Sequence, residues 1–241
     1  MRPIKLLPGL VSPLKNDKID FVVIRENSEG EYCGKGSTTS DRAVQESVFT
    51  RKGTERIIRY AYEYAKANNM TRVLSATKSN ALNHSMVFWD KIFDEVRAEY
   101  PQMESSQMHI DALAGYFIMH PERLEVVVAS NLFGDILTDL GSAMLGSIGI
   151  SPSANLNPEG KYPSMFEPIH GSAPDIAGQD KANPTAMLMS AIEMLNYIDE
   201  REAGEKIRKA LFATLEAGIK TADLGGSASC TQFTQAIIER L

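Results

Sequence analysis

The sequence predicts an α/β fold built on a doubly wound parallel sheet. Short apolar segments alternate with segments of helical periodicity, which predicts strands at 19–25, 71–77, 106–110 and 125–130 and helices at 53–68, 84–99, 111–120 and 133–145. The segment EVVVASN at 125–131 is almost continuously apolar, as is typical of a strand covered on both faces. Strands and helices that alternate in this way favour parallel strands flanked by helices.

Two segments interrupt the alternation. Residues 30–51 are rich first in turn-forming and then in β-branched residues, which predicts a hairpin arm projecting from the sheet. Residues 149–182 are rich in Pro, Gly, Ser and Asn, and three further helices are predicted at 184–198, 200–219 and 228–241. The chain therefore changes character after Gly146.

Composition excludes several classes of protein. A chain of 241 residues that is 43% hydrophobic can bury a core of one large or two small domains. Its formal net charge of -6 argues against nucleic acid as a partner, because phosphate binding requires a basic surface. Its apolar runs are too short for a membrane helix. The two cysteines, Cys33 and Cys230, form no disulfide framework and predict reduced thiols in the cytoplasm.

The segment NLFGDILTDL at 131–140 is the strongest candidate for a metal site. Asp135 and Asp139 lie four residues apart, so on a helix their carboxylates share a face and can reach one ion. Taken alone, this spacing is more typical of a solvent-exposed helix face. The buried strand directly before it favours a site, because ligands of α/β sheets bind beyond the carboxyl ends of strands. Mg²⁺ and Mn²⁺ are the cations that prefer such oxygen ligands.

Further candidates follow other predicted strands. Arg25 and Tyr32 lie in RENSEGEY, where an arginine can bind a carboxylate through two hydrogen bonds and a tyrosine can donate a proton. Lys78 ends the strand of SATKSN and is a candidate base. Asp111 opens the helix of HIDALAG. The alternatives are a surface arginine, a structural tyrosine and, for Asp111, a helix cap.

The loop FEPIHGSAPDIAGQDKANPTA at 166–186 is a candidate nucleotide site. It carries His170, Asp175 and Asn183 among Gly, Ser and Pro residues, and His170 opens a tight turn of the kind that approaches an adenosine. A surface histidine is the alternative. Because the chain contains no G-x-G-x-x-G motif, a dinucleotide would have to be bound by another device such as this loop.

The five motifs RENSEGEY, SATKSN, HIDALAG, VVASNLFGDILTDLGS and FEPIHGSAPDIAG, in this order, resemble the β-decarboxylating dehydrogenases. This family includes isopropylmalate, isocitrate and tartrate/D-malate dehydrogenases. The segments VVIRENSEGEY, QESVFTRKG, LSATKSN and SPSANLNPEG are most similar to the tartrate/D-malate branch. The resemblance implies an isopropylmalate dehydrogenase-like two-domain fold and the NAD-dependent oxidative decarboxylation of a 2-hydroxy acid.

The resemblance also implies roles for individual residues. Arg2 and Arg25 would bind a carboxylate of the substrate. Tyr32 would be the general acid, and Lys78 the base that removes the hydroxyl proton. The ligands of Mg²⁺ or Mn²⁺ would be Asp111, Asp135 and Asp139.

Two further implications concern NAD and a second subunit. The residues that contact the adenosine would be His170, Gly171, Ser172, Ala173, Asp175 and Asn183. A carboxylate at Asp175 would bind the ribose hydroxyls and repel a 2′-phosphate, which favours NAD over NADP. In the family, Lys78 and Asp111 would serve the neighbouring subunit's site, so a homodimer with shared sites is expected.

The length of the chain departs from the family pattern. Members carry about a hundred further residues before the segment that matches Arg2, comparable to a small domain. We therefore expect an N-terminally truncated chain, in which residues 1–148 form the small central domain with its dimerisation arm and residues 149–241 form the C-terminal part of the large domain. The alternatives are isopropylmalate or isocitrate as substrate, or a non-catalytic dimerising remnant.

Overall fold

The computed structural model describes residues 1–241, which form two compact units. One unit consists of residues 20–140, and the other combines residues 1–19 with residues 141–241. In chain order the strands are β1 (Arg2–Lys5), β2 (Asp20–Arg25), β3 (Gly36–Thr38), β4 (Ala43–Gln45), β5 (Arg72–Thr77), β6 (Glu104–His109), β7 (Val126–Ala129), β8 (Pro152–Asn155) and β9 (Met165–Pro168). The helices are α1 (Arg51–Ala67), α2 (Ser85–Arg97), α3 (Ile110–Met119), α4 (Asn131–Met144), α5 (Thr185–Tyr197), α6 (Arg201–Glu216) and α7 (Cys230–Ile238).

The unit of residues 20–140 contains four parallel strands in the order β2-β7-β5-β6. Strand β7 lies between its neighbours and is buried throughout, as its run of valines predicts. The four strands predicted for this region are confirmed, with small shifts at their ends. The predicted hairpin arm is also confirmed, because β3 and β4 pair antiparallel with Ser37 opposite Val44.

Helices cover both faces of this sheet. On one face, Trp89 of α2 donates its indole N–H to the Ser75 hydroxyl of β5 at 2.9 Å. On the other, the ring of Phe117 in α3 packs edge-on against Phe21 of β2, with centroids 4.9 Å apart. The register places Ser75 and Ile24 on the same face, and Phe21 points the other way because successive residues of a strand alternate. The predicted doubly wound arrangement is confirmed.

The other unit packs three helices around a short hairpin. Strands β8 and β9 pair antiparallel, with Ala154 opposite Phe166. The Ser190 hydroxyl of α5 donates to the Glu167 carbonyl of β9 at 2.9 Å and accepts the backbone N–H of Ser153 in β8 at 3.3 Å. All three helices predicted for this region are confirmed, whereas β1, β8 and β9 were not predicted. These strands are short and contain proline, so no alternating pattern marks them.

Residues 1–19 belong to the same unit as the C-terminal region. The backbone N–H of Ala154 donates to the Met1 carbonyl at 3.0 Å, and the Ser12 hydroxyl donates to the Met144 carbonyl at 2.7 Å. The compact unit therefore contains both ends of the chain, and the proposed family domains 1–148 and 149–241 stay a prediction. Contacts between residues more than a hundred positions apart leave no local pattern in the sequence. No helix has the length and apolar character needed to cross a membrane.

The contact between Trp89 and Ser75 supports the strand that ends next to Lys78. Both side chains are fully buried, so Ser75→Ala would leave the indole N–H without a partner. We expect this change to lower the free energy of unfolding by about 1–3 kcal/mol. Urea unfolding followed by the fluorescence of Trp89, the single tryptophan, measures it. Ser106→Ala on the exposed side of β6 is the matched control, and equal stability of the two variants would contradict the prediction.

Candidate active site

The carboxyl ends of the four parallel strands carry most of the predicted site residues. Arg25 is the last residue of β2, Lys78 directly follows β5, and Asp111 is the second residue of α3, which directly follows β6. Helix α4 begins at Asn131, two residues after the end of β7. Because parallel strands end at one edge of a sheet, neighbouring strands bring these residues together in two pairs.

The first pair forms between β2 and α4. The Arg25 guanidinium donates from Nη1 to Asp135 Oδ1 at 2.5 Å. It also donates from Nε and Nη2 to Asn131 Oδ1, at 3.1 and 2.7 Å. Only 14% of the Arg25 side chain is exposed, against 45% of the Asp135 side chain. The sequence predicted Arg25 and Asp135 as site residues, whereas Asn131 was not singled out.

Gly134 provides the space in which Arg25 lies. A Cβ atom at this position of α4 would lie 2.5 Å from Cγ of Arg25 and 2.8 Å from its Cβ. Such distances are far below van der Waals contact, so any other residue would displace the arginine. The glycine of NLFGDILTDL is therefore required by the close approach of the arginine.

Tyr32 lies beside the same carboxylate. Its hydroxyl donates to Asp135 Oδ2 at 3.1 Å, and its ring centroid is 6.0 Å from Cζ of Arg25. Partial desolvation, followed by the hydrogen bond to Asp135, raises the pKa of the Tyr32 hydroxyl above its ordinary value. The phenol therefore keeps its proton at neutral pH, and its ring is more than half exposed, so the proton can be passed to a bound molecule.

The second pair forms between the ends of β5 and β6. Lys78 Nζ donates to Asp111 Oδ1 at 2.7 Å, with 25% of the lysine and 67% of the aspartate side chain exposed. The hydrogen bond from Lys78 lowers the pKa of the Asp111 carboxyl below its ordinary value. The His109 side chain that precedes the helix makes no capping bond, and Asp111 lies within the first turn. The Asp111 side chain contacts Lys78 at the end of the neighbouring strand β5.

Asp135 and Asp139 are the residues that fit a divalent cation. They lie one turn apart on α4, Asp139 is exposed, and Asp135 already has a cationic partner. No group of three His, Cys, Asp or Glu side chains that could hold a metal occurs within the chain. Asp111 does not form a cluster with them in this chain. Two carboxylates still suit Mg²⁺ or Mn²⁺, because water and substrate oxygens commonly complete the coordination of Mg²⁺.

Arg2 lies in the other unit. Its side chain is buried and donates to the Ala154 carbonyl at 3.1 Å and to Asn155 Oδ1 at 2.9 Å, both on β8. These bonds hold the guanidinium against the hairpin of that unit. Its role in substrate binding stays a prediction.

The predicted adenosine residues divide into an exposed turn and a buried anchor. The exposed turn contains Gly171, Ser172, Ala173 and Asp175, and His170 before it is partly buried. Ala173 has φ of 43°, a left-handed conformation that non-glycine residues adopt rarely and mostly at tight turns. Asn183 is the buried anchor, and its side-chain oxygen accepts the backbone N–H of Thr185 at the start of α5, at 3.0 Å.

Asp223 is hydrogen-bonded to Asn183, and the sequence did not predict it as a partner of that residue. It accepts hydrogen bonds from Asn183 Nδ2 at 2.9 Å and from the Ser147 hydroxyl at 2.6 Å. Desolvation opposes ionisation here, but the hydrogen bonds from Asn183, Ser147 and Thr221 outweigh it and lower the pKa of Asp223 below its ordinary value. The segment TADLGG around this aspartate contains no pattern that marks it as a partner of a residue so distant in the chain.

The low pKa of Asp223 leads to a test. A carboxyl group whose pKa is lower in the folded state stabilises the protein above its unfolded pKa, and this stability is lost as the pH falls through the folded pKa. Ser147→Ala removes one donor, so we expect the titration midpoint of the Asp223 carboxyl carbon, measured by NMR, to rise towards the ordinary value. Ser164→Ala, in the same unit but without contact to Asp223, is the control. An unchanged midpoint in Ser147→Ala would contradict this explanation.

Comparison with known proteins agrees with the architecture. Residues 1–237 match the family described as isocitrate/isopropylmalate dehydrogenase. A probable tartrate dehydrogenase/decarboxylase of Bacillus subtilis (strain 168) is 52% identical over 100% of this chain and 69% of its own length. The D-malate dehydrogenase [decarboxylating] of Escherichia coli (strain K12) is 48% identical, over 98% of this chain and 69% of its own. The crystal structure of isocitrate dehydrogenase from Methylococcus capsulatus superposes with a TM-score of 0.92 at 37% identity, covering 99% of this chain and 71% of that one. The chain is a member of the isocitrate/isopropylmalate dehydrogenase family.

Proposed function

We propose that this chain takes part in the NAD-dependent and divalent-metal-dependent oxidative decarboxylation of a 2-hydroxy acid similar to D-malate or tartrate. The observation that carries the proposal is the juxtaposition of Arg25, Tyr32 and Asp135 at the carboxyl edge of the parallel sheet. Relatives named as tartrate and D-malate dehydrogenases, at 48–52% identity, support this substrate class.

Each residue of the edge has a task in this chemistry. Arg25 offers its guanidinium to a carboxylate of the substrate. As the neutral amine, Lys78 would accept the proton of the substrate hydroxyl, bound NAD would supply the hydride acceptor, and the adjacent carbon would lose CO₂. Tyr32, which keeps its proton at neutral pH, donates it to that carbon. When bound, Mg²⁺ or Mn²⁺ supplies Lewis-acid polarisation of the substrate oxygens.

The proposed cation ligands are Asp135 and Asp139, with Asp111 contributed across a dimer interface. The distribution of the carboxylates supports this arrangement, because no three of them converge within one chain. Exposed apolar side chains on α3 and α4 support a helix contact between two copies; they are Ile118, Met119 and Ile136. Lys78, which is bonded to Asp111, would then serve the same site as that aspartate.

The loop that follows β9 is the proposed NAD site. The residues that would contact the adenosine are His170, Gly171, Ser172, Ala173, Asp175 and Asn183. The carboxylate of Asp175 favours ribose hydroxyls over a 2′-phosphate and supports NAD over NADP. The free thiols of Cys33 and Cys230 agree with a cytoplasmic enzyme.

The substrate class is tested by assay. NADH formation is measured with D-malate, tartrate, isopropylmalate and isocitrate in the presence of NAD and Mn²⁺. The chain is assayed alone and fused to the part of the Bacillus subtilis relative that it does not span. We expect D-malate or tartrate to give the highest kcat/KM in the fused protein. Preference for isocitrate or isopropylmalate would contradict the proposed substrate, and inactivity with all four would contradict the proposed enzyme.

The metal site is tested by calorimetry. We expect Mn²⁺ to bind the chain and to raise its melting temperature by mass action. Asp135→Asn removes one carboxylate charge with little change in shape, so it should abolish this rise. Asp94→Asn on α2, distant in sequence from the site, is the matched control. An unchanged Mn²⁺ affinity in Asp135→Asn would contradict the assignment.

A further inference from the structure

Asn131 accepts two of the three side-chain hydrogen bonds that link Arg25 to helix α4. Its side chain is buried, with 5% of the residue exposed, at the first position of α4. Its Nδ2 donates to the Glu29 carbonyl at 3.1 Å, and its Oδ1 accepts both Nε and Nη2 of Arg25. Since only the nitrogen can donate and only the oxygen can accept, these partners permit one orientation of the amide.

The two acceptors of Arg25 differ in what else they can do. Asp135 is charged, 45% of its side chain is exposed, and it also accepts the Tyr32 hydroxyl. A cation that approaches from solvent would therefore compete with Arg25 for this carboxylate. Asn131 is neutral and shielded from solvent, so a cation competes less strongly for its oxygen than for the Asp135 carboxylate. The hydrogen bonds between Asn131 and Arg25 should consequently persist when the ion pair between Asp135 and Arg25 is weakened.

We propose that Asn131 is a positioning residue that keeps the Arg25 guanidinium aimed at the substrate carboxylate while Asp135 serves as a metal ligand. This inference rests on the proposed function, because it assigns Asp135 to the cation. With Nε and Nη2 held by Asn131, Nη1 is the group that Asp135 would release and that a substrate carboxylate would bind. Gly134 completes the arrangement, since its missing side chain leaves the space that the stem of Arg25 occupies.

The direct test observes Arg25 itself, and it requires neither activity nor metal. The Arg25 Nε–H is followed by NMR in the wild type, Asn131→Ala, Asp135→Asn and the double variant. Asp135→Asn imitates the loss of the charged partner. In Asp135→Asn, we expect the Arg25 Nε–H to exchange with water nearly as slowly as in the wild type. In the double variant, we expect the same group to exchange about tenfold faster or more.

Two further variants separate positioning from general destabilisation. Asn131→Asp combined with Asp135→Asn keeps the net charge of the wild type and an acceptor at position 131, so we expect it to restore slow exchange. Asn68→Ala, at the exposed end of α1, is the control for loss of an asparagine and should leave the Arg25 signal unchanged. Asp135→Asn exchanging as fast as the double variant would overturn the inference, because Asp135 alone would then hold Arg25.

A second readout links the position of Arg25 to binding. With Mn²⁺ present, Asn131→Ala should weaken D-malate about tenfold and leave the affinity for Mn²⁺ unchanged. In an Arg25→Ala background, the same change should have no further effect on D-malate, because Asn131 acts through the arginine. Equal weakening of metal and substrate would overturn the inference. Absence of Mn²⁺ binding in the wild type would instead remove the proposed metal site, and the exchange measurement would still decide whether Asn131 positions Arg25.

Discussion

The parallel pairing of β2, β7, β5 and β6 is the constraint on which the candidate site depends. Parallel strands end at the same edge, so residues that are far apart in the chain meet there without any dedicated loop. The order of the strands decides which residues meet. Because β2 lies next to β7, Arg25 reaches the start of α4, and because β5 lies next to β6, Lys78 reaches Asp111. A sheet in which β2 were not next to β7, or β5 not next to β6, would separate the corresponding pair.

Two ion pairs at this edge of the sheet share the same pattern of exposure. In each pair the cation is the more buried partner and the carboxylate is the more exposed one, at 14% against 45% for Arg25 and Asp135 and 25% against 67% for Lys78 and Asp111. The arrangement lets four charged groups lie at one edge, because each has an opposite charge within hydrogen-bond distance. It also presents the carboxylates to solvent. A divalent cation would therefore meet the acids before it met the arginine and lysine that repel it.

The sequence predicted the parts of this structure that local patterns encode. The buried run VVVA predicted the central strand, helical periodicity predicted the seven helices, and the turn-rich segment predicted the arm. The residues at the strand ends could be singled out because strand and helix ends can be located from one segment at a time. Their pairing could not, because it follows from strand order. An asparagine at a helix start is typical of a cap, and the contact of Asn131 with Arg25 exists only in the fold. Three other features could not be predicted for the same reason, because they depend on contacts between distant segments. They are the hairpin of β8 and β9, the placement of residues 1–19 and the contacts of Asp223.

The central claim is that the carboxyl edge of the parallel sheet binds the metal and is completed by a second copy of the chain. Anomalous diffraction at the manganese absorption edge, from crystals grown with Mn²⁺ and D-malate, tests it most directly. The account predicts one manganese peak per chain, coordinated by Asp135 and Asp139, with Asp111 from another copy. A peak bound elsewhere, or one coordinated by Asp111 of the same chain, would contradict it.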